Sequence, residues 1–271
     1  MKSVLTIAGS DSGGGSGIQA DLKTFSGLGA FGLSVITAVT AQNTRGVSGV
    51  YDVTVEGVRK QLEAVFSDFD IKASKTGMLF SREIIEAVVE EVKKYDQKNL
   101  VVDPVLVSTS GDLLLKYEAV EVLKEKLMPL SLLITPNIPE AEKLTGNEIN
   151  SFKGMEIAGD MLVDEGANNV LLKGGHMERE KESETNSFDL LVTKDKEKTW
   201  FCEKRFDLGP LHGTGCSLSA AICALLARGD DLKTAIGKAK RYTNKAIETG
   251  FRPGEGSRVL NFGTYFNSEN I

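Results

Sequence analysis

The residues best suited to chemistry lie near the end of the chain, in the run His212-Gly213-Thr214-Gly215-Cys216-Ser217. It opens directly into an apolar stretch of helical period, Leu218, Ala221, Ile222, Leu225 and Leu226. The first turn of a helix carries N–H groups that lack helical acceptors, and glycines let ligand oxygens approach the backbone. Such a start binds phosphate and stabilises negative charge that develops during group transfer. A thiol placed there lies in the positive field of the helix, which lowers its pKa and favours thiolate. The same residues also suit a plain glycine turn beside a buried cysteine, and residue type alone leaves both readings open.

A second set of candidates follows apolar runs. Asp103 comes after Leu100–Val102 and before Pro104, while Asn137 and Glu140 come after Leu132–Ile134 and stand three apart at a helix start. Carboxylates just past strand carboxyl ends are where an open α/β sheet binds ligands, and Mg²⁺ takes one or two carboxylates with water and phosphate oxygens. A turn cap and an ordinary first-turn glutamate are the alternatives. A third set is N-terminal. The loop Gly9-Ser-Asp-Ser-Gly-Gly-Gly-Ser-Gly17 precedes Gln19, Asp21 and Lys23 on a helix, and Gln42 and Asn43 end the run Leu33–Ala41. An amide can both donate to and accept from a heterocycle edge, and Asp21 can accept an alcohol's hydrogen bond. A solvated helix face and a polar strand end are the alternatives here.

The commonest nucleotide signatures are missing. Gly-x-x-x-x-Gly-Lys-Ser/Thr does not occur, and Gly13-Gly14-Gly15-Ser16-Gly17 does not satisfy Gly-x-Gly-x-x-Gly. Nor does an acidic residue end a second strand about 20 residues on. A Walker-type ATPase and a dinucleotide-dependent dehydrogenase are therefore disfavoured.

These candidates need a scaffold, and the hydrophobic pattern supplies one. Short runs rich in Val, Ile and Leu read as strands buried on both faces: Val4–Ala8, Leu33–Ala41, Ile71–Ser74, Leu100–Val102, Leu132–Ile134 and Val170–Leu172. Helical periodicity separates them, in Val55–Phe66, in Ile84–Val92 with Ser81 as N-cap, and in Ile157–Leu162. Phe188–Thr193 and Lys198–Glu203 read as a hairpin turning at Lys194–Glu197, preceded by a charged, solvated stretch from Glu178 to Glu184. Two helices end the pattern, broken at Gly229 with Asp230 as a cap. The alternation predicts an α/β protein with a mostly parallel sheet covered by helices on both faces, in one domain over residues 1–271.

Composition narrows the function classes. The 271 residues are 41% hydrophobic and 26% charged, with a net charge of −6. No basic stripe suits nucleic acid, and no apolar run reaches membrane-spanning length. The N-terminal apolar run is too short for a signal-peptide core. Three cysteines, Cys202, Cys216 and Cys223, form neither a disulfide framework nor a metal knuckle. A cytoplasmic protein is expected, without nucleic-acid or membrane partners and as a homodimer.

The motifs taken in order resemble the ribokinase-like superfamily, specifically the hydroxymethylpyrimidine/phosphomethylpyrimidine kinases of thiamin biosynthesis. The carriers are Ile7-Ala-Gly-Ser-Asp11, Gly17-Ile-Gln-Ala-Asp-Leu-Lys-Thr-Phe25, Val35-Ile-Thr-Ala38, Ala41-Gln-Asn-Thr44, Lys75-Thr-Gly-Met78, Val101-Val-Asp-Pro-Val105, Thr135-Pro-Asn137 with Glu140, Lys173-Gly-Gly-His176 and His212-Gly-Thr-Gly-Cys216. The resemblance implies a three-layer α/β/α fold and ATP-dependent phosphorylation of a pyrimidine's hydroxymethyl group, then of the resulting monophosphate. It implies that Gln42 reads the aminopyrimidine edge, that Asp21 lies near the substrate hydroxyl, and that Gly9, Met78 and Val105 line the pocket. Cys216 is implied as the base, with Gly213, Thr214 and Gly215 around the phosphoryl group. Lys173 and Asn137 are implied on the ATP side, and Asp103 and Glu140 with Mg²⁺, directly or through water. Gly13 and Ser16 stand where the family usually has Ser and Ala, and Gly250–Arg258 lacks the usual Gly-His-Gly-x-Gly-Pro.

Three rivals differ in testable ways. A pyridoxal kinase shares the fold, and Ala41-Gln42-Asn43-Thr44 together with Ser108-Thr-Ser-Gly-Asp112 favours the aminopyrimidine over it. A cysteine hydrolase or acyltransferase would need His212 beside Cys216 and an orienting acid. A non-catalytic pyrimidine-binding protein has no use for Asp103, Glu140 and Cys216 together.

Overall fold

The computed structural model describes residues 1–106, 117–175, 185–209 and 211–263. The Ser108–Asp112 run, His176 and the charged stretch from Glu178 to Glu184 lie outside the described residues. The chain begins with β1 (Ser3–Asp11), α1 (Gly17–Gly27), β2 (Phe31–Asn43), β3 (Gly46–Asp52) and α2 (Val55–Asp68). It continues through β4 (Ile71–Thr76), α3 (Arg82–Lys94), β5 (Leu100–Val102) and α4 (Tyr117–Val122). A π turn and a 3-10 turn then lead to β6 (Leu133–Ile134), α5 (Ile138–Thr145), α6 (Phe152–Asp164) and β7 (Asn169–Lys173). Last come β8 (Asn186–Thr193), β9 (Lys198–Lys204), β10 (Leu211–His212), α7 (Thr214–Arg228), α8 (Leu232–Glu248) and β11 (Arg258–Val259).

Nine strands form one sheet in the order β3-β2-β1-β4-β5-β6-β7-β8-β9. Pairing is parallel from β2 through β7. β3 at one edge and the β8–β9 hairpin at the other run antiparallel. Alternation along each strand divides the apolar residues between two cores. Leu100 and Val102 join the core covered by α2, α3, α5 and α6, while Val101 joins the core under α1, α7 and α8. The result is the expected three-layer α/β/α fold with a mostly parallel sheet.

Strand order reverses at β1, with β2 on one side and β4 on the other. Such a reversal opens a crevice at the strand carboxyl ends, where ligands bind. Local signals mostly hold. Ser81 caps α3, its hydroxyl accepting from the Ile84 N–H. The cap of α8 is Asp231 rather than Asp230: its extended backbone turns the carboxylate back to accept the Thr234 N–H at 3.0 Å, while Asp230 pairs with Lys238. β3 is absent from the sequence reading because its Gly46-Val-Ser-Gly-Val-Tyr-Asp52 run is mostly exposed and half polar or glycine, so no apolar period marks it.

Candidate active site

The start of α7 meets the carboxyl ends of β1, β4, β5 and β7. Gly213, its N-cap, has φ +84, a left-handed conformation that favours glycine. A Cβ there would also collide with the Gly15 carbonyl oxygen, so the β1–α1 loop and the helix start press backbone to backbone. Thr214 and Gly215 follow in the first turn. A Cβ on Gly215 would lie 3.2 Å from Lys173 Nζ and 4.0 Å from Asp103 Oδ2. This bare helix end therefore has a cation beside it, which suits phosphate oxygens.

Asp103 is almost wholly buried just past β5. Its Oδ1 accepts from Lys173 Nζ at 2.8 Å and Thr135 Oγ1 at 3.0 Å, and its Oδ2 from Ser219 Oγ at 3.3 Å. Burial opposes its charge, but the ammonium groups of Lys173 and Lys75 outweigh that and hold its pKa below the usual range. For Lys173, burial is likewise outweighed, by Asp103 and Glu140, and its pKa is raised. Asn137 and Glu140 form a capping box on α5: each side chain accepts the other's backbone N–H at 2.9 Å. Burial, with Asp103 nearby, pushes the Glu140 carboxyl up to about 7 against the pull of Lys173.

These contacts favour the through-water form of the expected Mg²⁺ association over the direct one. Asp103 Oδ1 is committed to Lys173 and Thr135, and Glu140 is committed to its capping box. No group of three or more His, Cys, Asp or Glu residues suited to a metal occurs among the described residues. Asp103 and Glu140 as arranged do not fit direct Mg²⁺ ligation.

Asp21 lies deeper than its expected place beside the substrate hydroxyl suggests. It is wholly buried on α1 and faces no opening. Thr6 Oγ1 donates to it at 2.6 Å and Lys75 Nζ to both its oxygens at 3.0 Å. Burial raises its pKa despite Lys75. In this arrangement both its oxygens are taken up by Thr6 and Lys75.

Cys216 stands in the first turn of α7, partly exposed, with the Gly17 N–H directed at its thiol. The sequence predicts a depressed pKa from the helix field. Burial instead pushes the thiol up to about 11; Lys75 opposes the rise, and Asp21 and Asp103 add to it. Desolvation outweighs the helix field because much of the thiol's surroundings is protein rather than water.

The substrate-side residues gather at the β1 and β2 ends. Gly9 and Met78 touch: a Cβ on Gly9 would fall 2.5 Å from Met78 Cε. Gln42 accepts from Thr40 Oγ1 at 3.1 Å and donates to Ser16 Oγ at 3.3 Å. Ser16 in turn donates to Asp11, whose carboxylate also accepts the N–H groups of Gly13, Gly15 and Ser16. Asp11 thus shapes the whole glycine loop, a role visible in sequence as an aspartate two residues before a glycine N–H. Val105 follows Asp103 through a tight turn, its N–H donating to the Asp103 carbonyl. The atypical Gly250–Arg258 segment rests on the β2–β3 turn, where the Ser257 N–H donates to the Thr44 carbonyl at 2.7 Å, and then pairs β11 with β10. His212, in β10, makes no hydrogen bond to Cys216, so the cysteine-hydrolase arrangement is not assembled.

A family model described as phosphomethylpyrimidine kinase matches residues 11–261. The chain belongs to the phosphomethylpyrimidine kinase family. A hydroxymethylpyrimidine/phosphomethylpyrimidine kinase of Rhizobium meliloti is 50% identical over 92% of this chain and 91% of its own length. The thiamine biosynthesis bifunctional protein ThiED of Geobacter sulfurreducens is 49% identical over 96% of this chain, which spans only 52% of that protein. Among solved structures, the pyridoxal kinase of Staphylococcus aureus in complex with AMP-PCP superposes with a TM-score of 0.89 at 34% identity, covering all of this chain and 97% of that one. In the sequence, Lys75 stands out only as part of the Lys75-Thr-Gly-Met78 motif. A lysine at an inward position of a buried strand is the signal that could have singled it out.

Proposed function

We infer that this protein phosphorylates 4-amino-5-hydroxymethyl-2-methylpyrimidine to its monophosphate and then to the diphosphate, with ATP, in thiamine biosynthesis. The observation that carries this is the glycine start of α7, with Cys216 in its first turn and Lys173 beside it at the mouth of the β1/β4 crevice. The names of the relatives support the substrate, and the AMP-PCP complex of the pyridoxal kinase neighbour supports ATP.

In the first step the hydroxymethyl proton passes to the thiolate form of Cys216, a minor species at neutral pH because burial raises the thiol's pKa, leaving a neutral thiol. The substrate oxygen attacks the γ-phosphorus, the bond from that phosphorus to the bridging oxygen breaks, and ADP leaves. The N–H groups of Thr214 and Gly215 and the Lys173 ammonium meet the oxygens that gain charge. In the second step the monophosphate supplies an already ionised oxygen, so no alcohol proton has to move and Cys216 matters less. Gln42 reads the ring edge, held by Thr40 and Ser16, and Gly9, Met78 and Val105 pack beside it. Asn137 and Glu140 shape the nucleotide side. Mg²⁺ would accompany ATP, with Asp103 and Glu140 available to hold it through water, and would supply neutralisation of the phosphate charge. The proposal extends to one domain over residues 1–271, supported by the single nine-stranded sheet, and to a cytoplasmic homodimer. Exposed Val39, Val47, Val50 and Tyr51 on β2 and β3 offer an apolar surface for the second copy. No helix among the described residues is long and apolar enough to cross a membrane.

Pyridoxal phosphorylation is a side activity favoured by the structural neighbour, since its ring also carries a hydroxymethyl arm. The test is incubation with ATP and Mg²⁺ plus either the hydroxymethylpyrimidine or pyridoxal, with products identified by mass. Mono- and diphosphate from the pyrimidine are expected. Pyridoxal phosphate as the dominant product, or no product from the pyrimidine, would overturn the assignment.

A further inference from the structure

The segment after α8 closes into a loop with a base and a tip. At the base, Phe251 and Val259 exchange backbone hydrogen bonds at 3.1 and 2.9 Å, and β11 pairs with β10 immediately before Gly213. The same base presses on the glycine loop: a Cβ on Gly15 would fall 2.8 Å from Val259 Cγ1 and 3.6 Å from His212 Cβ. At the tip, Gly254 and Gly256 close over one residue, Thr44 in the β2–β3 turn. A Cβ on Gly254 would fall 2.6 Å from Thr44 Oγ1, and one on Gly256 would collide with the Thr44 carbonyl oxygen. The Gly256 N–H donates to Thr44 Oγ1 at 3.1 Å, and the Ser257 N–H donates to the Thr44 carbonyl at 2.7 Å. Arg45 pairs with Glu255 beside them, an exposed contact that adds little.

The turn needs such a hold. Only Thr44 and Arg45 link β2 to β3, since Asn43 already pairs with Gly46. The two-residue turns that match strand twist require φ above zero, and neither residue has it. The register also slips between Ala41 and Gln42, so pairing is irregular where Gln42 leaves the strand. From the other side the glycine loop grips the same stretch: Ser12 Oγ donates to the Gln42 carbonyl at 2.7 Å and accepts the Gln42 N–H at 2.9 Å. Gln42 therefore lies between two loops that meet each other at Gly15 and Val259, beside the start of α7.

We propose that Thr44 is a positioning residue for the pyrimidine: the loop over residues 251–259 grasps it and so fixes the turn carrying Gln42 relative to the phosphoryl cradle at Gly213–Gly215. The proposal rests on Gln42 as the group that meets the ring. The hydroxymethyl arm must reach the γ-phosphorus while the ring edge stays on Gln42, so the spacing of the two ends sets the alignment, and a shift of about 1 Å is costly. The glycines of the atypical Gly250–Arg258 segment then have a use, because only residues without a Cβ let its backbone lie against Thr44.

Two variants cut the hold from opposite sides. Thr44→Val keeps the side chain's shape and removes the hydroxyl that accepts the Gly256 N–H, while Gly256→Ala drives a methyl into the Thr44 carbonyl. In substrate-free protein, amide exchange read by peptide mass should quicken in both variants over residues 41–47 and over residues 251–259. In steady-state assays the KM for the pyrimidine should rise by about three- to tenfold, the scale of one lost hydrogen bond, and kcat should fall with it, while the KM for ATP stays within about twofold of the parent's. Thr44→Ser, which keeps the hydroxyl, should recover most of the loss. Circular dichroism and melting establish that each variant folds, and Thr44→Val carries the test alone if Gly256→Ala does not. A merely structural loop would raise both KM values together, or leave Thr44→Ser as impaired as Thr44→Val. Either result overturns the proposal, as does unchanged exchange over residues 41–47. If exchange quickens there while the pyrimidine KM stays at the parental value, the hold on the turn stands and the reading of Gln42 as the ring's partner falls.

Discussion

Two lysine–aspartate pairs flank the start of α7, and they differ in access. Lys75–Asp21 is closed: both side chains are wholly covered and the ammonium donates to both carboxylate oxygens at 3.0 Å. Lys173–Asp103 is ajar: the lysine side chain keeps 12% of its exposure and binds one oxygen of an aspartate that Thr135 and Ser219 also hold. A sealed cation can act only through the field it exerts on a neighbour. A cation at the mouth can leave its aspartate partly and meet a phosphate. The same two residue types thus meet the site differently at two strand ends: only the lysine that keeps some exposure can reach a ligand's charge.

The largest expected effect comes from the open pair. Lys173→Met should lower kcat/KM for both phosphorylation steps by roughly 10²- to 10³-fold, because both develop charge on the same phosphoryl oxygens. Steady-state assays of each step check this, and a loss confined to one step would break the comparison. Gly213→Ala, between the pairs, combines a left-handed φ with a collision against the Gly15 carbonyl. It should cost about 1–3 kcal/mol of stability by denaturant melting and slow both steps together.

The smallest effect is in pH dependence. The Glu140 carboxyl is raised to about 7 from its ordinary 4.5. Between those values the folded protein holds a proton that the unfolded chain has released, so stability falls as pH rises through that window. Glu140→Gln keeps the capping box and removes this titration. Its stability, measured by urea unfolding at pH 5 and pH 7, should change less with pH than the parent's. An unchanged slope would show that burial does not hold the extra proton on Glu140.

The scaffold was legible because each buried strand is a short apolar run and each covering helix keeps its period. Val101 points to one core and its neighbours Leu100 and Val102 to the other, as an inner parallel strand requires. The edge strand β3 and the two-residue β10 and β11 were not, since neither exposure nor such lengths leave a pattern. Within the site, residue type revealed Cys216, Asp103, Glu140 and Gln42, but not their ionisation. The expected drop in the Cys216 pKa reversed because helix fields are visible in sequence while desolvation depends on what folds over the thiol. Asp21 was assigned to the substrate for a similar reason: only the register that sets Thr6 beside Lys75 reveals that its carboxylate is already taken.

The central claim, that Cys216 takes the alcohol's proton, is tested most directly by measuring both phosphorylation steps separately in Cys216→Ala. The account predicts that the hydroxymethyl step falls by roughly 10²- to 10⁴-fold while the monophosphate step falls far less. A hydroxymethyl step at the parental rate, or an equal fall in both steps, would contradict it.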